Sequence, residues 1–203
     1  RISAAQRFVA TFADDPRSFS VEGVTVNALF ATKDYEGVIA VADHLLGRLD
    51  ALALDSRNGG SSGSNSRGDG IEYQRLKESA TLTAAHATFA LDDFVDAERR
   101  YGEAMRIVSS RSVAPQQAES KMRLLEQTVD NYAASIYKQG EQLAAEGRQV
   151  AAANKYLQII SEAPTSQLAA TALYDASVLF YQAEHWQDAI ANFELFQRSY
   201  TED

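Results

Sequence analysis

Cysteine is absent from the sequence, which removes disulfide staples, thiolate zinc sites and thiol nucleophiles together. A cysteine-free chain suits an oxidising compartment as well as the cytosol, so compartment stays open on this count. Only three prolines and eleven glycines occur in 203 residues, and few positions therefore break a helix or call for a left-handed backbone. No apolar run approaches the roughly 20 residues that cross a bilayer, so direct membrane insertion by this segment is not expected. No basic stretch followed by a short apolar core marks a signal peptide. Positive charge is scarce as well: 19 Lys and Arg stand against 28 Asp and Glu, a formal net charge of −9. Such a chain repels polyanions, whereas a nucleic-acid binder needs a basic face to displace counterions from phosphates. DNA and RNA are not expected partners. Because the sequence starts at Arg1 and stops at Asp203 in a stretch that reads as a turn, it is expected to be a piece of a longer protein, with any targeting signal in the missing flank.

What is present favours helix. A hydrophobic content of 45% is enough for a sizeable core, and the abundant Ala, Leu, Gln and Glu lose little side-chain entropy in a helix. Periodicity is clearest where Met122, Leu125, Val129, Tyr132, Ile136 and Leu143 recur at helical intervals, which predicts a long helix over about 116–146. Pro115 stands where a helix starts and Gly147 where one stops.

Three segments align when laid over one another: Asp93 to Ala97, Gly147 to Ala152 and His185 to Ala189. Each places an alanine at the opening of a helix, an aromatic four residues later (Tyr101, Tyr156, Phe193) and a small or apolar residue three further on (Ala104, Ile159, Phe196). Preceding each is a small pair or glycine followed by a bulky residue: Ala84-Ala85 with Phe89, Gly140 with Leu143, Ala176-Ser177 with Phe180-Tyr181. A weaker copy runs through Leu29, Phe30, Tyr35, Val38, Ala42 and Leu45, with valine in place of the alanine, and Phe8 to Pro16 echoes Phe196 to Asp203 as the end of a further one.

On these residues the chain resembles the tetratricopeptide repeat family, helix-turn-helix units of about 34 residues in which a small residue lets two helices approach closely; Pro164 matches the family's closing proline. The resemblance implies an all-α fold, a right-handed superhelix (solenoid) of antiparallel helix pairs forming a single domain over 1–203. The repeats are irregular, since Ala97 to Ala152 spans 55 residues and Ala152 to Ala189 spans 37. The period near 37, with the turn Ala163 to Gln167, is most similar to bacterial cell-envelope members of the family: the periplasmic Tol–Pal-associated protein and the outer-membrane assembly lipoprotein. A periplasmic or envelope-associated location is the expectation from that likeness, with the cytoplasm as the alternative. Residues 55–70, from Asp55 to Gly70, are Gly/Ser-rich and free of apolar side chains, and are expected to form a flexible loop.

Candidate chemistry is sparse. His44, His86 and His185 have no second histidine at helical spacing, so no metal site is expected from them. An EF-hand loop begun at Asp55 fails at Arg57, Gly59 and Ser66, and Arg67-Gly68-Asp69 reads more simply as a chance tripeptide. No nucleophile elbow, phosphate loop or dinucleotide fingerprint occurs; neither catalytic residues nor a cofactor is expected. The family's repeat pattern implies that Leu82, His86, Phe89, Tyr137, Glu141, Tyr174, Val178, Tyr181 and Gln182 face a concave groove holding a partner protein or peptide, although helical spacing also permits these aromatics to be core. The lysine and asparagine set of chaperone-adaptor repeats is missing from those positions. The expected role is a non-catalytic protein-interaction scaffold, with an accessory domain of a larger enzyme or a glycan-binding groove as alternatives.

Overall fold

The computed structural model describes residues 7–9, 11–12, 15–57 and 66–200, and among them every regular element is a helix. In chain order these are α1 (Arg17–Ala31), α2 (Tyr35–Arg57), α3 (Ser66–Ala90), α4 (Phe94–Ser110), α5 (Ala118–Ala145) led in by a 3₁₀ turn at Pro115–Gln117, α6 (Gln149–Glu162), α7 (Ala169–Gln182) and α8 (Trp186–Tyr200). The long helix expected from the Met122 to Leu143 stripe is α5. Of the expected loop over 55–70, the ends are helical, with α2 extending to Arg57 and α3 beginning at Ser66, and residues 58–65 lie outside the described residues. A Gly/Ser-rich stretch gives no periodic signal, so helix propagation inward from both sides was invisible in it.

One short turn recurs four times among the described residues. At Lys33, Asp92, Gly147 and Glu184 the backbone is left-handed, with φ between 59° and 75°. The N–H of each bonds to the carbonyl three residues back (Phe30, Phe89, Ala144, Tyr181), and the next N–H (Asp34, Asp93, Arg148, His185) bonds to the carbonyl five back (Leu29, Thr88, Leu143, Phe180). This is the Schellman closure, which satisfies the orphan carbonyls of the helix just ended. Two residues after each left-handed position a new helix begins. Burial repeats with the turn: Val38, Ala97, Ala152 and Ala189 are all buried, and they are the positions the sequence alignment singled out. Only the third copy uses glycine, which is why the turns do not stand out as glycine signals.

The contacts divide the chain into two compact units, Arg1–Asp93 with Arg106–Arg111, and Phe94–Met105 with Ser112–Asp203. In the first, α1, α2 and α3 pack on one another around Phe19, Val26, Leu29, Val38, Leu45 and Ala84. Gly23 permits the close approach of α1 and α3, since a Cβ there would lie 2.8 Å from Leu76 Cδ2. A charged cluster is built into this unit. The buried Glu22 carboxylate accepts from Arg48 at 2.6 Å and lies 2.5 Å from His44 Nδ1, Arg48 also reaches Ser18, and its guanidinium sits 4.1 Å over the Phe19 ring. His44 therefore has a structural role.

In the second unit α5, α6, α7 and α8 each pack on the next. Their shared core contains Ala133, Ile136, Ala153, Tyr156, Ile159, Ala176, Phe180 and Ala189. Asp130 on α5 caps the turn before α7, accepting from Ser166 Oγ and the Gln167 N–H. Glu98 of α4 gathers Gln139, Lys155 and Gln158 from α5 and α6 at 2.6 to 3.0 Å. Burial alone would raise the Glu98 carboxyl, but these three hydrogen bonds and the Lys155 charge outweigh it and hold the group below its ordinary value. No helix among the described residues is long and apolar enough to cross a membrane.

Candidate functional site

The nine residues expected to line a groove fall into both units. Leu82, His86 and Phe89 lie on α3 in the first, each partly buried. The His86 ring faces Phe30 at 6.3 Å, and burial lowers its pKa, consistent with a packed imidazole held neutral.

The other six lie on α5 and α7, in the second unit. Tyr137 is half-buried: its hydroxyl donates to Asp175 Oδ2 at 2.5 Å, and its ring stacks on Tyr156 with centroids 4.6 Å apart. Tyr156 in turn fills the space that Gly140 leaves open. The Tyr137–Asp175 bond ties α5 directly to α7, so these two helices, separated in sequence by α6, share one face. Burial, the bond to Asp175 and the charges of Asp175 and Glu141 all push the Tyr137 hydroxyl pKa upward. Tyr156 is pushed up to about 12, first by burial and then by Glu141 and Asp175. Both carboxylates thus act on the same pair of rings.

Along α7 the face continues with Tyr174 and Tyr181, two turns apart and 48% and 58% exposed, and the half-buried Val178 between them. Gln182 and Glu141 are exposed, and Glu141 pairs with Lys138 at 2.7 Å. The inner edge of Tyr174 packs against Phe193 and Phe196 of α8, with centroids 5.9 and 5.6 Å away. Tyr181 meets Trp186 edge to face at 5.2 Å. Both rings are therefore anchored in orientation while half of each stays in water, which keeps the ordering cost of a contact small.

Three members of this face were missed in the sequence. Trp186, which is not among the nine, is 50% exposed, and Ile190, one turn further along α8, is 59% exposed. The available signal was the spacing: Trp186 and Ile190 stand four apart, on a stripe offset from the buried Ala189. Asp175 was missed because no sequence pattern links it to Tyr137. Tyr181 and Trp186 touch, and with Tyr174 and Ile190 they are four large side chains exposed on α7 and α8; exposed apolar surface of this kind marks interaction sites. Among the described residues no group of three or more His, Asp and Glu side chains is placed to hold a metal ion. No protein-family model matches the chain, and no curated protein matches it.

Proposed function

We propose that the protein is a non-catalytic interaction scaffold of the tetratricopeptide type, in which the face carried by α5, α7 and the start of α8 receives a partner protein. The observation that carries this reading is the set of large side chains, Tyr174, Tyr181, Trp186 and Ile190, each left about half exposed to solvent, with the tyrosine rings held by packed neighbours. Tyrosine and tryptophan dominate interface hot spots because a rigid ring offers large contact area and a polar tip. The recurrent turn and the buried small residue behind it support the repeat assignment, as expected where helix pairs stack closely. The superhelical form and a place in a bacterial envelope assembly follow from the same likeness and belong to the proposal.

The reading is tested by placing a photo-crosslinking amino acid at Gln182, beside the face, or at Glu126, an exposed position on α5, in cells that make the protein. A discrete protein adduct from position 182 and none from 126 is expected. Adducts from both alike, or from neither, would remove the interaction surface from this face.

A further inference from the structure

Charge distribution around the aromatic face restricts what can occupy it. No lysine or arginine occurs between Lys155 and Arg198, so α7, the following turn and most of α8 contain carboxylates without cations. Asp175 accepts the Tyr137 hydroxyl. Among the described residues neither it, nor Glu184 in the turn before Trp186, nor Glu194 one helical turn beyond Ile190, forms an ion pair. The flanking cations are committed elsewhere: Lys155 pairs with Glu98 at 3.0 Å, and Arg198 donates to the Glu194 carbonyl at the far end of α8; Lys138 on α5 pairs with Glu141. Aromatic rings edged by unpaired carboxylates make a surface of negative potential, because ring faces carry negative quadrupole density as well.

We infer that the occupant of this face is a cationic amphipathic segment of a partner protein, setting apolar side chains against Tyr181, Trp186 and Ile190 and lysine or arginine side chains against Asp175, Glu184 and Glu194. The inference rests on the interaction reading above and specifies its partner. Alternative occupants meet the same field with the wrong sign. A second copy docked through this face in a two-fold arrangement would bring identical carboxylates together, and an anionic lipid surface would be repelled. A cationic segment instead gains from the carboxylates and from cation–π contact with the exposed rings.

Trp186 is the only tryptophan of the chain and stands in the proposed site, so its emission reports occupancy directly. The experiment titrates the whole chain with an amphipathic helical peptide of leucine and lysine, roughly 18 residues or five helical turns, and with its counterpart carrying glutamate for lysine. The lysine peptide should shift Trp186 emission to the blue and saturate. Its binding should weaken several-fold between about 0.1 and 1 M salt, where the Debye length falls from about 10 to about 3 Å. The glutamate peptide should leave the emission unchanged. Glu184→Gln with Glu194→Gln should weaken lysine-peptide binding about threefold or more. Glu119→Gln with Glu126→Gln, the same charge change at least about 16 Å along α5 from Tyr137, should not. Equal binding of both peptides would overturn the charge inference while leaving the interaction face standing. Equal weakening by the two variant pairs would reduce the effect to net charge and overturn it too. If neither peptide moves the signal, the inference fails together with the accessible apolar face beneath it. An emission shift that follows chain concentration alone, with dimers in sedimentation, would assign the face to a second copy.

Discussion

Gly140→Ala isolates the packing on which the aromatic face depends. A Cβ at residue 140 would lie 2.7 Å from Cδ1 and 3.0 Å from Cζ of Tyr156, and closer still to Cε1. Ring atoms do not yield as a flexible chain end does, and this ring is 5% exposed and stacked under Tyr137. Alanine gains about 1 kcal/mol over glycine in a helix interior, against which overpacking of a tight core costs typically 1 to 3 kcal/mol. With a rigid ring as the obstacle the cost falls toward the upper end of that range, and a net loss of up to about 2 kcal/mol is expected. Gly47→Ala in α2 supplies the contrast, since nothing lies within 4 Å of its Cβ position and the propensity gain of up to about 1 kcal/mol stands unopposed. Urea unfolding followed by far-UV circular dichroism measures both, and the two midpoints should move in opposite directions. Shortening the obstacle in Gly140→Ala/Tyr156→Leu should recover part of the loss, a non-additivity expected only of touching residues. Gly140→Ala as stable as the parent protein would refute the close α5–α6 approach.

Other positions give equally specific expectations. Ala189→Leu, at a buried position facing α7, should cost roughly 1 to 3 kcal/mol, whereas Ala191→Leu on the exposed side of α8 should cost little; equal denaturation midpoints would contradict the repeat register. At the recurrent turn, Gly147→Ala should destabilise by about 1 kcal/mol because φ is positive there, and Lys33→Gly should stabilise by several tenths, both read from thermal melts. Glu98 has a depressed folded-state pKa, so its contribution is fully present above the ordinary value of 4.5 and is lost as pH falls through the lower folded value. The stability difference between the parent protein and Glu98→Gln should therefore shrink on acidification below about pH 4.5 and stay constant above pH 6; a constant difference throughout would show that the carboxylate charge is not what Gln139, Lys155 and Gln158 hold.

Much of the fold was legible because burial repeats with a short period. The spacing of Ala152, Tyr156 and Ile159, all buried, locates both a helix and its inward side, and the same pattern around Ala97 and Ala189 aligns the copies. The left-handed turns were legible only at Gly147, since lysine, aspartate and glutamate occupy the same conformation without announcing it. The α2 and α3 ends near residues 58–65 lacked apolar side chains to mark their phase. In the candidate site, Tyr174 and Tyr181 were placed by repeat position. Trp186 carried a signal in its four-residue spacing to Ile190, whereas Asp175 required three dimensions, because it is defined by a hydroxyl from two helices away. The Glu22–Arg48 pair and the Glu98 network were illegible for a related reason: polar partners far apart in sequence carry no periodicity.

The most direct measurement of the central claim is the affinity of the crosslinked partner for the parent chain and for Tyr174→Ala and Tyr181→Ala, with folding monitored alongside. Both rings are half exposed, so far-UV circular dichroism and melting temperature should stay near parent values while affinity falls by about 1 kcal/mol or more, roughly fivefold in Kd. Unchanged affinity in both variants, or a loss that appears only together with unfolding, would contradict a partner-binding role for this face.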